Sequence, residues 1–243
     1  MGVAIVTGAG SGIGAATARA LAARGDSVVC ADVVEDAAKA TAAHLKSAIG
    51  VRVDVSDGAS NDAMVKSAID AFGAVDSIAT CAGIEKHGSA HEFSEDDFDR
   101  IIDVNLKGTW LSARAVARWQ IANQRRGTVV MIGSINSIVA NAGASAYCAS
   151  KGGVLMLGRT LALDWAPHGI RVNIVGPGVV DTPMSAKSLA DPVKRERMMD
   201  RTPIGRPASP DEIASVIAFL LSDASSFMTG AYVPVDGGSL AAW

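Results

Sequence analysis

Aromatic side chains make up only 5 % of this chain, and cysteine contributes three residues, Cys30, Cys81 and Cys148. An odd number of thiols without zinc-ligand or CxxC spacing supplies neither a disulfide framework nor a metal site. Lys and Arg number 22 against 25 acids, a net charge of −3. With no basic block or RNA-binding signature, nucleic acid is not an expected partner. No uninterrupted apolar stretch approaches the ~20 residues a membrane-crossing helix needs, because Asp, Arg or Gly cuts the longest candidates. The opening residues run straight into Val3-Ala4-Ile5-Val6 without the basic flank and cleavage site of a signal peptide. The expectation is a soluble cytoplasmic protein. No Pro/Ser-rich linker or solenoid-length repeat divides the 243 residues, so one well-buried α/β domain is expected.

What is present is an alternation of short β-branched runs with Ala-rich helical stretches. Strands are predicted at Val3 to Val6, Ser27 to Ala31, Gly50 to Val53, Val75 to Thr80, Thr128 to Ile132, Arg171 to Val175 and Tyr232 to Val235. Helices are predicted at Ile13 to Ala23, Ser60 to Phe72, Asp97 to Gln120, Ala146 to Ala166 and Pro210 to Leu221. Such alternation predicts a Rossmann-type doubly wound sheet of seven parallel strands with helices on both faces. Ligands of these sheets bind beyond the carboxyl ends of the strands. The segment from Met184 to Pro207 is the least regular and the most basic, with Lys187, Lys194, Arg195, Arg197, Arg201 and Arg206.

Between the first strand and the first helix lies Thr7-Gly8-Ala9-Gly10-Ser11-Gly12-Ile13-Gly14. Its Gly8, Gly12 and Gly14 form GxxxGxG rather than GxGxxG. Glycines there permit a tight turn and let backbone approach a pyrophosphate facing the helix amino terminus. Asp32 ends the second predicted strand, where a carboxylate accepts bonds from both adenosine ribose hydroxyls and repels a 2′-phosphate. NAD is therefore the expected cofactor. Further on, Tyr147 and Lys151 stand four residues apart, thirteen residues after Ser134. On a helix that spacing puts phenol and ammonium on one face, where the cation favours phenolate. Oxidising an alcohol needs such a base despite an ordinary tyrosine pKa of ~10. Ser134, just past a strand, can donate a hydrogen bond to the substrate oxygen. Cys148 adjoins Tyr147, but neighbouring helical side chains diverge by roughly 100°, so packing is its expected role.

From about Val3 to Gly238 the chain resembles the short-chain dehydrogenase/reductase family, on Thr7 to Gly14, Asp32, Asp54-Val55, Ala82-Gly83, Asn105, Ser134, Tyr147, Lys151, Pro177-Gly178 and Thr182 in the family's order. The resemblance implies that Asp54 and Val55 hold the adenine. It also implies that Ala82 and Gly83 approach the cofactor and that Pro177, Gly178, Val180 and Thr182 hold the nicotinamide. Ser11 stands where NADP-preferring relatives often carry a basic residue. Asn105 matches an asparagine that holds water beside the lysine in a proton relay. Cys81 replaces the family's usual asparagine, a brace of the central sheet. The family's position for residues 184–207 is a substrate lid. Its pairing of the Tyr147 helix into four-helix interfaces implies a homotetramer, with Ala149, Gly153, Met156, Leu157, Thr160 and Leu161 as a second packing face.

The activity implied is interconversion of a small-molecule secondary alcohol and ketone. The catalytic set is Asn105, Ser134, Tyr147 and Lys151. Alternatives are a 3-oxoacyl thioester reductase, for which Arg125-Arg126 would dock an acidic carrier protein, and a redox-inactive NAD sensor. His87 and His91 follow the Gly83 loop as either substrate contacts or surface residues. Met184, Ile138 and Trp243 are candidates for pocket lining, packing being the simpler role.

Overall fold

The computed structural model describes residues 2–242. Trp243 lies outside them. Seven strands form one parallel sheet in the order β3-β2-β1-β4-β5-β6-β7. They are β1 (Val3–Thr7), β2 (Ser27–Asp32), β3 (Ala48–Arg52), β4 (Ser77–Thr80), β5 (Gly127–Ile132), β6 (Ile170–Pro177) and β7 (Tyr232–Val235). Side chains alternate across the pleat. Val3 and Ile5 therefore join a core with Met64, Val116 and Val154. Ala4 and Val6 turn to the other face and pack with Leu21, Ile213 and Ile217. The first face is covered by α3 (Gly58–Phe72), α5 (Gly108–Ala122) and α6 (Ser145–Trp165). The second is covered by α1 (Gly12–Ala23) and α9 (Pro210–Leu220). Burial on both faces explains why the strands read as unbroken apolar runs.

Two predicted elements differ from those observed. The expected helix from Asp97 to Gln120 is α4 (Glu95–Ile102), then a π-helical turn at Asp103–Lys107, then α5. The wider turn leaves the Asn105 carbonyl to accept from Thr109 Oγ1 at 2.7 Å. Gly108 sits so close to Val55 that a Cβ there would lie 2.7 Å from Val55 Cγ2. Periodicity does not separate a π turn from the helix around it. The segment 184–207 is not irregular: it carries α7 (Ala186–Ala190) and α8 (Pro192–Asp200). Asp191 caps α8, accepting from the amides of Val193 and Lys194, and Pro192 suits a first-turn position. A helix missing from the sequence reading, α2 (Glu35–Ala43), connects β2 to β3. It buries only Ala38 and Ala42, so its apolar signal is weak.

Candidate active site

β1 and β4 leave their shared border in opposite directions, toward β2 and β5 respectively, and the loops beyond their carboxyl ends meet at this switch point. Gly8 has φ +66°, and a Cβ on it would lie 2.8 Å from Ala82 Cα. The Ala82 amide donates to Thr7 Oγ1 at 3.3 Å. A Cβ on Gly14 would lie 2.1 Å from the Gly8 carbonyl oxygen, so helix α1 packs directly on the turn that precedes it. Ser11 caps α1 without a side-chain hydrogen bond, which leaves the amino-terminal amides free of side-chain competition. Gly10, which the fingerprint reading passed over, donates its amide to Asp32 Oδ2 at 2.9 Å. Asp32 Oδ1 accepts from the Val34 amide at 3.0 Å. An ionised carboxylate has further acceptor capacity beyond these two bonds. A backbone cradle in which added methyl groups collide, an uncapped helix amino terminus and a carboxylate beside them fit a nicotinamide dinucleotide.

Asp54 is partly committed to its own turn: Oδ1 accepts from the amide and hydroxyl of Ser56 at 2.9 and 2.6 Å. These bonds hold its carboxyl below the usual range. Val55 is buried, and its carbonyl accepts from Asn61 at 2.8 Å. At the other end of the cradle, a Cβ on Gly12 would lie 3.3 Å from Thr182 Cγ2, so the glycine turn touches the loop after β6. Ser185 Oγ receives the Thr182 amide at 3.1 Å and shapes that loop.

A cavity of about 1060 Å³ opens beside these loops. Ile13, Gly83, Ser134, Tyr147, Lys151, Pro177, Gly178, Val180 and Thr182 line it. Asn105 is fully buried behind them. Its side chain accepts from the Ile84 amide at 2.8 Å and donates to the Ile84 carbonyl at 2.9 Å and Ser150 Oγ at 3.1 Å. It thus clamps the loop after β4 to α6. A Cβ on Gly83 would lie 3.4 Å from Asn105 Oδ1 and 3.7 Å from Lys151 Nζ, so three of the matched positions converge there.

Tyr147 and Lys151 share one side of α6, the ammonium 5.7 Å from the ring centroid. Lys151 is buried and donates to the Ile132 carbonyl at 2.8 Å. Among the protein's own groups the expected acidification of the phenol is reversed. Burial pushes Tyr147 upward and Glu85 adds to the rise, while a hydrogen bond with Ser134 opposes them. Burial likewise brings Lys151 down to about 8, against the pull of Cys81 and Glu85. Desolvation outweighs attraction because the ammonium is held by a backbone carbonyl rather than against the phenolic oxygen.

Ser134 Oγ accepts from the Asn136 amide at 3.1 Å. That leaves its single hydroxyl proton to donate toward Tyr147 or a substrate oxygen. Its carbonyl accepts from the Tyr232 hydroxyl at 2.7 Å, an anchor from β7 that motif spacing does not reveal. Cys81 lines the cavity, and burial pushes its thiol up to about 12. Of the two histidines after Gly83, His87 lines the cavity with Nε2 3.7 Å from Glu85 Oε1. His91 is exposed and bonds Ser89 at 2.9 Å. Met184 lines the cavity, whereas Ile138 is exposed on the surface. Arg125 and Arg126 immediately precede β5, at the sheet edge opposite the cavity. Arg125 is paired there with Asp76 at 2.8 Å. Among the described residues no cluster of His, Cys, Asp or Glu could hold a metal ion, and no helix is long and apolar enough to cross a membrane.

A sheet with this strand order and a glycine turn at its switch point has the architecture of the dinucleotide-binding α/β class. A family model described as enoyl-(acyl carrier protein) reductase matches residues 8–239. Cis-4-hydroxycyclohexanecarboxylate dehydrogenase of Sinomonas cyclohexanicum is 45 % identical over 240 residues, 97 % of this chain and 95 % of its own. Meso-2,3-butanediol dehydrogenase of Serratia marcescens is 37 % identical, over 98 % of this chain and 94 % of its own. A crystal structure from Agrobacterium tumefaciens with bound NADP superposes with a TM-score of 0.90 at 35 % identity, covering 98 % of this chain and 96 % of the other. The chain belongs to the short-chain dehydrogenase/reductase family, which works with nicotinamide cofactors.

Proposed function

We propose that this protein is an NAD-dependent dehydrogenase that interconverts a secondary alcohol and its ketone, with Tyr147 as the acid/base. The observation that carries the reading is the gathering of Ser134, Tyr147 and Lys151 on a cavity also lined by Gly83 and by Pro177, Gly178, Val180 and Thr182. Gly8, Ser11, Gly12, Ile13 and Gly14 would hold the pyrophosphate, Asp32 the adenosine ribose, and Asp54 and Val55 the adenine. Ala82, Gly83 and the loop after β6 would hold the nicotinamide. When bound, that ring accepts the hydride from the alcohol carbon or returns it to the ketone. Ser134 donates a hydrogen bond to the substrate oxygen. Tyr147 takes the hydroxyl proton in oxidation and gives it back in reduction. Lys151 sets the local field for that transfer, and Asn105 positions the Gly83 loop and α6 around it. The basic segment 184–207 serves as the lid.

Turnover of secondary alcohols, read as NADH absorbance across a panel of ring, polyol and acyclic substrates, tests the reading. Binding of NADH with no turnover of any alcohol or ketone would instead mark a redox-inactive sensor. NAD is favoured over NADP by the Asp32 carboxylate and by Ser11 in place of a basic residue. The larger kcat/KM is expected with NAD, and Asp32→Ala should reduce the discrimination about tenfold, as for loss of one good polar contact. A wild-type preference for NADP would reject the assignment. The second reading is a 3-oxoacyl thioester reductase; the family model's description, an enoyl reductase acting on an acyl carrier protein, shares with it the thioester but not the reduced bond. Arg125 and Arg126 lend it no support from the far edge of the sheet, and a 3-oxoacyl thioester among the ketones decides it. Assembly as a homotetramer is favoured by the exposed Ala149, Met156 and Thr160 on α6. Gly153 and Leu161 are already used within the chain, against Leu106 and in the core. Light scattering giving only a 24.8 kDa particle would reject that assembly.

A further inference from the structure

Among the lid residues that line the catalytic cavity, Lys194, Arg197, Met198 and Arg201 stand at helical spacing. They fall at i, i+3, i+4 and i+7, so one face of α8 and its carboxyl end is turned to the cavity. Arg195, Glu196 and Met199, on the other faces, do not line it. Lys194 and Arg197 are exposed, and neither forms an ion pair with any described acid. By contrast Arg206, in the same segment, grips Glu212 with bonds of 2.7 and 2.8 Å and lies outside the cavity. Two acids also line the space, Asp200 at the end of α8 and Glu85 on the loop after β4. Glu85 lies near Tyr147, whose proton it helps to hold. Glu85 thus puts negative charge by the reacting centre, whereas α8 brings the cations Lys194 and Arg197 together with one acid, Asp200, with Ala142, Met184 and Met198 as apolar wall.

The carboxyl end of α8 is tethered. Thr202 Oγ1 donates to the Met198 carbonyl at 2.8 Å, and the Ile204 amide donates to the Gly237 carbonyl at 3.1 Å. The amino end is held as well, by the Asp191 side chain accepting from the Val193 and Lys194 amides, so both ends of the helix that carries Lys194 and Arg197 are anchored.

We propose that the substrate is a hydroxy acid: a secondary alcohol whose hydroxyl meets Ser134 and Tyr147 while a carboxylate at its far end is bound by Lys194 and Arg197. The inference rests on the dehydrogenase reading above and adds the charge of the substrate. Charge-assisted bonds to a carboxylate are stronger than neutral ones.

The test compares each hydroxy acid with its uncharged amide at fixed NAD, using 4-hydroxycyclohexanecarboxylate, 3-hydroxybutyrate and their amides. A 3-hydroxybutyryl thioester of coenzyme A carries anionic charge as phosphate instead. The acids are expected to exceed the amides in kcat/KM by about tenfold or more. Lys194→Gln with Arg197→Gln should erase that ratio through KM for the acid, while KM for NAD stays at the wild-type value. Equal use of acid and amide by the wild type overturns the inference while leaving the dehydrogenase reading intact. A rise in KM for NAD in the variant overturns it by assigning α8 to the cofactor. Preference for the coenzyme A thioester over the free acid overturns the carboxylate in favour of a phosphate. No turnover of any member, while another alcohol of the wider panel is oxidised, overturns this inference alone; no turnover of that panel either, with NADH still bound, removes the dehydrogenase reading and this inference with it.

Discussion

Around the first β–α turn a single added methyl has nowhere to go, whereas across the cavity the segment 184–207 leaves space and charge exposed. A Cβ on Gly14 would press to 2.1 Å from a backbone oxygen, but one on Gly205, at the end of that segment, would meet nothing within 4 Å. The cradle is shaped by main chain packed against main chain, so its residues are restricted to what fits. That segment holds Lys194 and Arg197 in solvent at the cavity mouth, so many side chains would fold there. A family can therefore keep one cofactor cradle while varying the surface that meets the substrate, and the reaction type is legible in the first region and substrate choice in the second.

The largest expected separation of the two halves comes at their border. Tyr147→Phe removes the proposed acid/base and leaves the glycine cradle untouched, so kcat should fall by roughly 10²- to 10⁴-fold. NADH affinity, read by fluorescence titration, should stay within about twofold, a change of under ~0.5 kcal/mol. Turnover near that of the wild type would remove Tyr147 from the mechanism.

Next in size is Gly14→Ala, which drives a methyl into the Gly8 carbonyl. Overpacking of this kind costs about 3 kcal/mol, visible as a lower urea midpoint together with weakened NADH binding. An unaltered midpoint would show that the turn yields, contrary to the close packing described.

A pH series on Lys151→Met probes the buried ammonium. Lys151 titrates at about 8 when folded and near ~10.4 in an unfolded chain. Between those values the unfolded chain binds more protons, so the wild type gains stability as pH rises from about 8 to about 10. The penalty is fully present below that window. The variant lacks the group, so wild-type Tm minus variant Tm should increase from pH 7 to pH 10, and a flat difference would place the ammonium in water.

Gly205→Ala makes the smallest change. Gly205 has φ +75° with open space around it. Only the left-handed backbone is strained, at about 1 kcal/mol. A loss as large as that of Gly14→Ala would erase the contrast between the cradle and the segment 184–207.

The alternation of β-branched runs and helices was enough to specify seven parallel strands, because strands buried on both faces must be apolar throughout. Gly8, Gly12, Gly14 and Asp32 were equally legible, since a turn that admits no side chain leaves its mark as glycine. The Tyr147–Lys151 spacing placed both groups on one helix side, a consequence of 3.6 residues per turn. The balance of charge around them was decided only by the tertiary structure. Burial raises the phenol and lowers the ammonium, the Ile132 carbonyl holds Lys151, and Glu85 comes in from another loop. The Asn105 clamp on Ile84, the support of Ser134 by Tyr232 and the turning of α8 toward the cavity are likewise contacts between segments far apart in the chain. Local periodicity fixes what each segment becomes, but desolvation and contact across the fold depend on which segments meet.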